Sequence, residues 1–344
     1  MTQTYPMARV STPGRIEFVD QPVSAPASGE VLIRTRAVSI CGSDLHTFKG
    51  KHPFAPLPAA LGHELAGEVV ETGPEAGSVK PGDRVVVEPV IVCGECHFCR
   101  RGDYHLCRSI SFHHRQGRGA FTPYFTADHR WVHRLPDGVS FTEGALAEPL
   151  AVAVHAMGRA GIQLGRSVAV FGAGPIGLMV LMLALKAGAG ETFAVDVQDF
   201  RLRKARELGA GEALNNTAGD AVAAIYRITD DLGVDAAFEV VGNETTLTQT
   251  LKALKKGGTA VIVGLFSQPD VTIRSNIFLQ KEITVRGSQG YCRDFQTALK
   301  LLEKGHMDLG TLITHRLPLD SLQEGFDLLS DPEAEAIKVV ITFD

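Results

Sequence analysis

The sequence predicts an α/β chain in which a β-rich domain is joined to a doubly wound parallel sheet. Three observations predict it. Short β-like runs broken by Pro and Gly fill the chain up to about Pro149, and apolar strands alternate with helical segments from about Ala151 to Arg286. Between the first of those strands and its helix, Gly172, Gly174 and Gly177 form G-x-G-x-x-G. Alternation of this kind builds a parallel sheet with helices on both faces.

In the first run, Val31–Arg36, Ala66–Glu71 and Arg84–Val87 read as strands. A cysteine cluster follows: Cys93, Cys96, Cys99 and Cys107 stand as C-x2-C-x2-C-x7-C. In a cytosolic chain such spacing points to metal rather than disulfides. Four thiolates close a tetrahedral Zn2+ with no open position, a structural site; an iron–sulfur cluster is the competing occupant. Gly94 and Gly102 allow the tight turns, and Arg100, Arg101 and Arg108 favour thiolate over thiol. Cys41 and Cys292 stand apart.

In the middle run, Val168–Phe171, Thr192–Val197, Ala236–Val241, Thr259–Gly264 and Ile283–Arg286 read as strands, with a helix beginning near Ile176. No charge occurs between Val168 and Leu185, but Gly172, Gly174, Pro175 and Gly177 split that stretch into strand and helix, which argues against a membrane span. The three glycines give a tight turn, close approach of backbone to a pyrophosphate, and close helix packing, with the helix N-terminus supplying unpaired N–H groups. Asp196 lies 19 residues beyond Gly177 at a strand end. A carboxylate there accepts from a ribose diol and repels a 2′-phosphate, which favours NAD over NADP, while Arg201 beyond it could reach a phosphate or the adenine ribose. The final run holds a helix around Phe295–Glu303 and a strand over Ile337–Thr342, and is expected to return to the first domain.

Composition narrows the function classes. The 344 residues are 44% hydrophobic and 21% charged, with 34 Lys+Arg against 39 Asp+Glu and a formal net charge of −5. That balance argues against nucleic acid as a partner. Met1–Val10 has neither the cationic leader nor the apolar core of a signal peptide, so the expectation is a cytoplasmic protein. In the first domain, Cys41, His63, Glu64 and Glu148 offer soft and borderline ligands for a second, open Zn2+.

Taken in order, Cys41-Gly42-Ser43-Asp44, Gly62-His63-Glu64, the four-cysteine lobe, Glu148-Pro149-Leu150, Gly172 to Gly177 and Ile337-Lys338-Val339-Val340 resemble the zinc-dependent medium-chain alcohol and polyol dehydrogenases over essentially the whole chain. The resemblance implies a GroES-like catalytic domain of residues 1–150 and 287–344, its zinc lobe at about 90–110, and a Rossmann NAD-binding domain of residues 151–286. It implies a catalytic zinc on Cys41, His63 and a carboxylate, Glu64 or Glu148, and a proton path through Ser43 and His46. A substrate hydroxyl on the cation loses its proton more readily, and hydride passes to the nicotinamide. Cofactor contacts are expected from Gly172, Gly174, Pro175, Ile176, Gly177, Asp196, Arg201, Val263, Gly264, Leu265, Gln289 and Tyr291, and substrate contacts from Ser43, Thr47, Glu148 and Tyr291.

The expected substrate is a small alcohol and the expected assembly a homotetramer or dimer, with no membrane partner. Where the sorbitol branch carries Arg before its Tyr-Cys, this chain has Gly290, and Thr47 replaces an aromatic. Those departures imply a differently shaped substrate: another polyol, a sugar or a sugar acid. Two other readings are an L-threonine 3-dehydrogenase, from the same Cys-His-Glu-Glu set, and a metal- and NAD-binding protein without turnover.

Overall fold

The computed structural model describes residues 4–344 apart from 23 and 269, so the first three residues of the N-terminal stretch lie outside it. The chain divides into two compact units, one running to Pro149 and resuming at Phe295–Asp344, the other Leu150–Asp294. The return to the first unit falls at Phe295 rather than Gly287. The reason is local: Asp294 pairs with His155 at 2.8 Å, and the Gly287 carbonyl accepts from Arg159 at 3.1 Å, which ties this segment to the Ala147–Ala160 helix.

In the first unit a seven-stranded sheet has the path Val132–Arg134, Arg84–Val87, Glu64–Thr72, Glu30–Ser39, Lys338–Thr342, Ile313–Pro318, with Tyr124–Asp128 also paired to Glu30–Ser39. The central position of Glu30–Ser39 follows from its composition. Val31, Ile33 and Val38 are wholly buried, among a core that includes Phe121 and Phe326. The C-terminal strand Lys338–Thr342 lies antiparallel to it, Val340 opposite Ser39. A hairpin of Thr4–Thr12 and Arg15–Pro22, which periodicity did not suggest, forms a smaller sheet with Ala59–Ala60. None of the eight side chains in its second strand is buried, and the polar–apolar alternation of Arg15-Ile16-Glu17-Phe18 breaks at Val19, too short a run to mark a strand.

The second unit is a six-stranded parallel sheet ordered Glu212–Asn215, Thr192–Asp196, Val168–Phe171, Val234–Glu239, Leu254–Ile262, Thr284–Gly287. Strand order reverses between Val168–Phe171 and Val234–Glu239, whose carboxyl ends therefore border the crevice where such sheets bind nucleotides. The edge strand Glu212–Asn215 escaped the sequence reading because it is four residues long with one buried side chain. Val168 to Leu185 resolves into a four-residue strand and the twelve-residue helix Pro175–Lys186, whose Gly177–Ala184 segment is buried. Among the described residues no helix is long and apolar enough to cross a membrane.

Asp235 staples neighbouring strands of this sheet. Its carboxylate accepts from the Ser167 amide and hydroxyl at 3.0 and 2.9 Å and pairs with Arg166 and Lys255. Burial opposes the charged form, but those partners hold the carboxyl well below its usual range. A carboxylate depressed by folding contributes stability above its unfolded pKa, which is lost as pH falls through the acid range. Asp235→Asn is therefore expected to lower stability at pH 7 by about 1–2 kcal/mol in denaturant titrations, with the difference from wild type shrinking below about pH 4. A difference that does not change with pH would rule out the charge as the cause.

Candidate active site

The metal-binding set is assembled at one end of the central strands of the first unit. Cys41 precedes the short helix Gly42–Phe48, and His63 stands just before the strand Glu64–Thr72, which Glu64 begins. One donor atom each of Cys41, His63 and Glu64 lies within 4.8 Å of the others. His63 and Glu64 are buried and Cys41 partly so.

The carboxylate of Glu64 is divided in its duties. Oε2 pairs with Lys338 Nζ at 2.6 Å and accepts from the Ser39 hydroxyl, while the buried Oε1 has no hydrogen-bond partner among the described residues. A buried carboxylate oxygen without a partner, in a residue that brings one oxygen within 4.8 Å of a thiol and an imidazole, fits a borderline cation such as Zn2+. Lys338 also donates to the Ile40 carbonyl at 2.9 Å. Burial works against its charge, yet Glu64, Cys41 and Glu148 together raise its pKa. Glu148, buried at the start of Ala147–Ala160, stands outside the close three-donor group but near enough for its charge to act on Lys338.

Asp44, which sequence reasoning quoted in a motif but gave no role, is almost wholly buried and organises the same corner. It accepts from the Cys41 amide at 3.2 Å and the Gly62 amide at 3.0 Å, and its Oδ1 lies 3.5 Å from His63 Nδ1. Burial alone would push this carboxyl up; the facing His63 and the Gly62 amide bring it down to about 2. A carboxylate behind a ligating imidazole fixes its ring and its basicity. The Ser43 hydroxyl donates to Cys41 Sγ at 3.3 Å, and the Thr47 hydroxyl donates to the Ser43 carbonyl at 3.1 Å within the helix. His46 is half-buried in the helix's last turn, its pKa lowered by burial and by Lys49 and Lys51.

The four-cysteine lobe is compact. All four sulfurs fall within 4.8 Å, with Cys93 Sγ 3.9 Å from that of Cys99 and 3.5 Å from that of Cys107. Four sulfurs about 2.3 Å from one Zn2+ would sit about 3.8 Å apart, so the set fits that ion. The amides of Cys93 and Ser109 donate to Cys107, and that of Cys96 to Cys93, each at 3.4 Å. Such donors favour thiolates. Gly94 and Gly102 take positive φ, 76° and 83°, as their turns require. Tyr104 anchors the lobe by donating to Glu88 at 2.7 Å and packing edge-on against Trp131.

In the second unit the glycine turn leaves a cradle. A Cβ on Gly177 would drive into the Gly172 carbonyl, whereas one on Gly174 would meet nothing within 4 Å, so backbone amides there stay open to a phosphate. Pro175 and Ile176 begin the helix. Asp196 accepts from Ala173 at 2.7 Å, Val197 at 2.8 Å and Gln198 at 3.0 Å, with Arg201 3.8 Å away. A carboxylate offers about four lone pairs, so capacity for a ribose hydroxyl remains. Val263 and Gly264 donate to the Glu239 carbonyl at 2.8 and 3.1 Å and lead into Leu265. Glu239, missed by sequence reasoning, is fully buried at a strand end and accepts from Gly242 and Thr246. Beyond the last strand, Gln289 is exposed and Tyr291 buried.

Removing one partner of a buried ion pair leaves the other charge uncompensated, at a cost of about 3–5 kcal/mol. Lys338→Met is expected to lose about that much stability, and Lys338→Met with Glu64→Gln to recover most of it. Wild-type stability in the single variant would show that the pair is not what holds this corner.

Residues 27–137 match the alcohol dehydrogenase GroES-like domain, and residues 175–304 the zinc-binding dehydrogenase domain. The chain is 35% identical to a sorbitol dehydrogenase of Bacillus subtilis over 99% of both proteins. It is also 35% identical to a D-arabitol-phosphate dehydrogenase of Enterococcus avium, covering 99% of this chain and 98% of that one. Of solved structures, the 2R,3R-butanediol dehydrogenase of Bacillus subtilis superposes with a TM-score of 0.90 at 34% identity, over 99% of this chain and 100% of that one. A Sinorhizobium meliloti protein solved with NADP gives 0.92 at 32%, with the same coverage. With its cysteine lobe, its Cys-His-Glu corner and its nucleotide cradle, the chain belongs to the zinc-dependent alcohol and polyol dehydrogenases, enzymes that act on CH–OH donors.

Proposed function

We propose that this enzyme oxidises a secondary hydroxyl of a polyol, sugar or sugar acid to the ketone, with NAD as hydride acceptor. The single observation that carries the reading is the Cys41, His63 and Glu64 set, in which Glu64 keeps one oxygen unpartnered while Ser39 and Lys338 hold the other. Cys41, His63 and Glu64 would hold the catalytic zinc, and the four cysteines the structural one. When bound, zinc supplies the Lewis acidity that lowers a hydroxyl's pKa, and the nicotinamide supplies the hydride acceptor.

The chain's own residues do the rest. Asp44 fixes His63, Lys338 holds one oxygen of Glu64, and Glu148 adds a second carboxylate whose charge acts on Lys338. Ser43 touches the ligand sulfur and leads toward His46, a path by which the hydroxyl proton reaches solvent. Asp196 supports NAD over NADP, because its carboxylate repels a 2′-phosphate. Relatives named for sorbitol, D-arabitol phosphate and butanediol support a secondary alcohol, while Gly290 and Thr47 argue for a substrate other than sorbitol. The same reading, supported by the resemblance, makes the enzyme a cytoplasmic homotetramer or dimer.

The test is reduced-cofactor formation by zinc-loaded protein with NAD and NADP across polyols, sugar acids, simple secondary alcohols and L-threonine. Selective oxidation of one hydroxylated sugar compound with NAD is expected; turnover of threonine alone, or silence throughout, overturns the reading. Metal content separates the two zinc roles. Cys41→Ser is expected to lose one zinc and activity with melting little changed, whereas Cys99→Ser loses the other and melts lower, since structural metal is folding free energy. Unchanged melting of Cys99→Ser counts against a structural lobe.

A further inference from the structure

Two chain segments beside the metal-binding corner carry one sign of charge. From Leu45 to His63 and from Tyr104 to Ala127 the chain has no Asp or Glu, yet these segments hold Lys49, Lys51, Arg108, Arg115 and Arg118 in a protein whose formal net charge is −5. The two segments meet at the site. The His114 ring lies 4.8 Å from that of His63, and Phe112 stacks on His114 at 5.8 Å. The Arg115 guanidinium then sits over two aromatic faces, 4.9 Å from the centroid of Phe112 and 5.8 Å from that of Phe54. His52, which accepts from the Phe54 amide at 3.0 Å, closes the group. Burial and the Arg115 charge together bring His52 down to about 4.

Among these cations Arg115 is the one braced on two aromatic faces. Arg118 pairs with Glu30 at 3.6 Å. Asp44, the carboxylate that faces this corner, is buried and spent on His63, Cys41 and Gly62. Among the described residues no carboxylate pairs with Arg115, although protein packed around its guanidinium lowers its pKa. A charge that is partly covered, braced by aromatic rings and left without a counter-ion fits an anion that arrives from outside. The planar guanidinium matches the two oxygens of a carboxylate or phosphate, and Lys49 and Lys51 add a field of the same sign.

We infer that Arg115, braced on Phe54 and Phe112 beside His63, binds an anionic substituent of the alcohol substrate, a phosphate ester or a carboxylate, and sets selectivity for acidic over neutral polyols. This rests on the reading of the site as one that oxidises polyols.

The experiment uses zinc-loaded full-length enzyme and a matched trio: a pentitol, its terminal phosphate ester and the corresponding aldonic acid. One acidic member is expected to exceed the neutral one in kcat/KM by about tenfold or more, mainly through KM, and which member does so decides between phosphate and carboxylate. Arg115→Gln should reduce that ratio by about tenfold or more, and Arg115→Lys should restore part of it. Inorganic phosphate should compete with the alcohol in the wild type and do so at least about tenfold more weakly in Arg115→Gln. A wild-type preference for the neutral alcohol, a ratio unchanged by Arg115→Gln, or no competition by phosphate overturns the inference. Oxidation of neutral polyols without charge preference sinks it alone, whereas no alcohol oxidised at all sinks the polyol reading with it.

Discussion

A lysine and a glutamate buried together hold the chemistry of the first unit in place. Lys338 and Glu64 are 3% and 1% exposed at their side chains, so each has given up nearly all of its hydration. Desolvation on that scale costs several kcal/mol per ion, and a bare pair rarely recovers it. Here the geometry adds to the pair: Lys338 also donates to Ile40, Glu64 also accepts from Ser39, and both strands that flank the pair are core strands of one sheet. What this arrangement gains is a carboxylate with one oxygen pinned by Lys338 and Ser39, in a residue that brings a donor atom within 4.8 Å of those of Cys41 and His63.

The same reasoning explains why the last strand belongs to the first unit. Lys338 lies 274 residues after Glu64, so the site is complete only when Lys338–Thr342 has paired with Glu30–Ser39. In the second unit the constraint is steric instead. Gly177 packs on Gly172 without room for a side chain, and Asp196 bonds the Ala173 amide inside that turn. The carboxylate that would read the ribose therefore also shapes the turn that would hold the pyrophosphate.

These two kinds of constraint explain what was legible in the sequence. The strand, glycine turn and helix at Val168–Lys186 are contiguous and carry a local signature, as does the cysteine lobe. Cys41, His63 and Glu64 were visible as residue types, but that one donor of each lies within 4.8 Å of the others became visible only in the fold, because proximity to a thiol and an imidazole is tertiary. Asp44, Ser39 and Lys338 went unassigned for the same reason: their partners lie far off in sequence or on another strand. The hairpin Thr4–Pro22 and the edge strand Glu212–Asn215 were missed because partly exposed strands carry mixed polarity.

Two cations near one corner thus meet opposite fates, and the contrast is informative. Lys338 is inside, its charge matched by Glu64 and felt by Glu148, so nothing remains for a ligand to neutralise. Arg115 is at the surface, supported by ring faces that stabilise a cation without neutralising it. Arg118, by contrast, has Glu30 against it. Leaving Arg115 open, with Lys49 and Lys51 adding charge of the same sign, directs the remaining electrostatic free energy outward, to what the site binds.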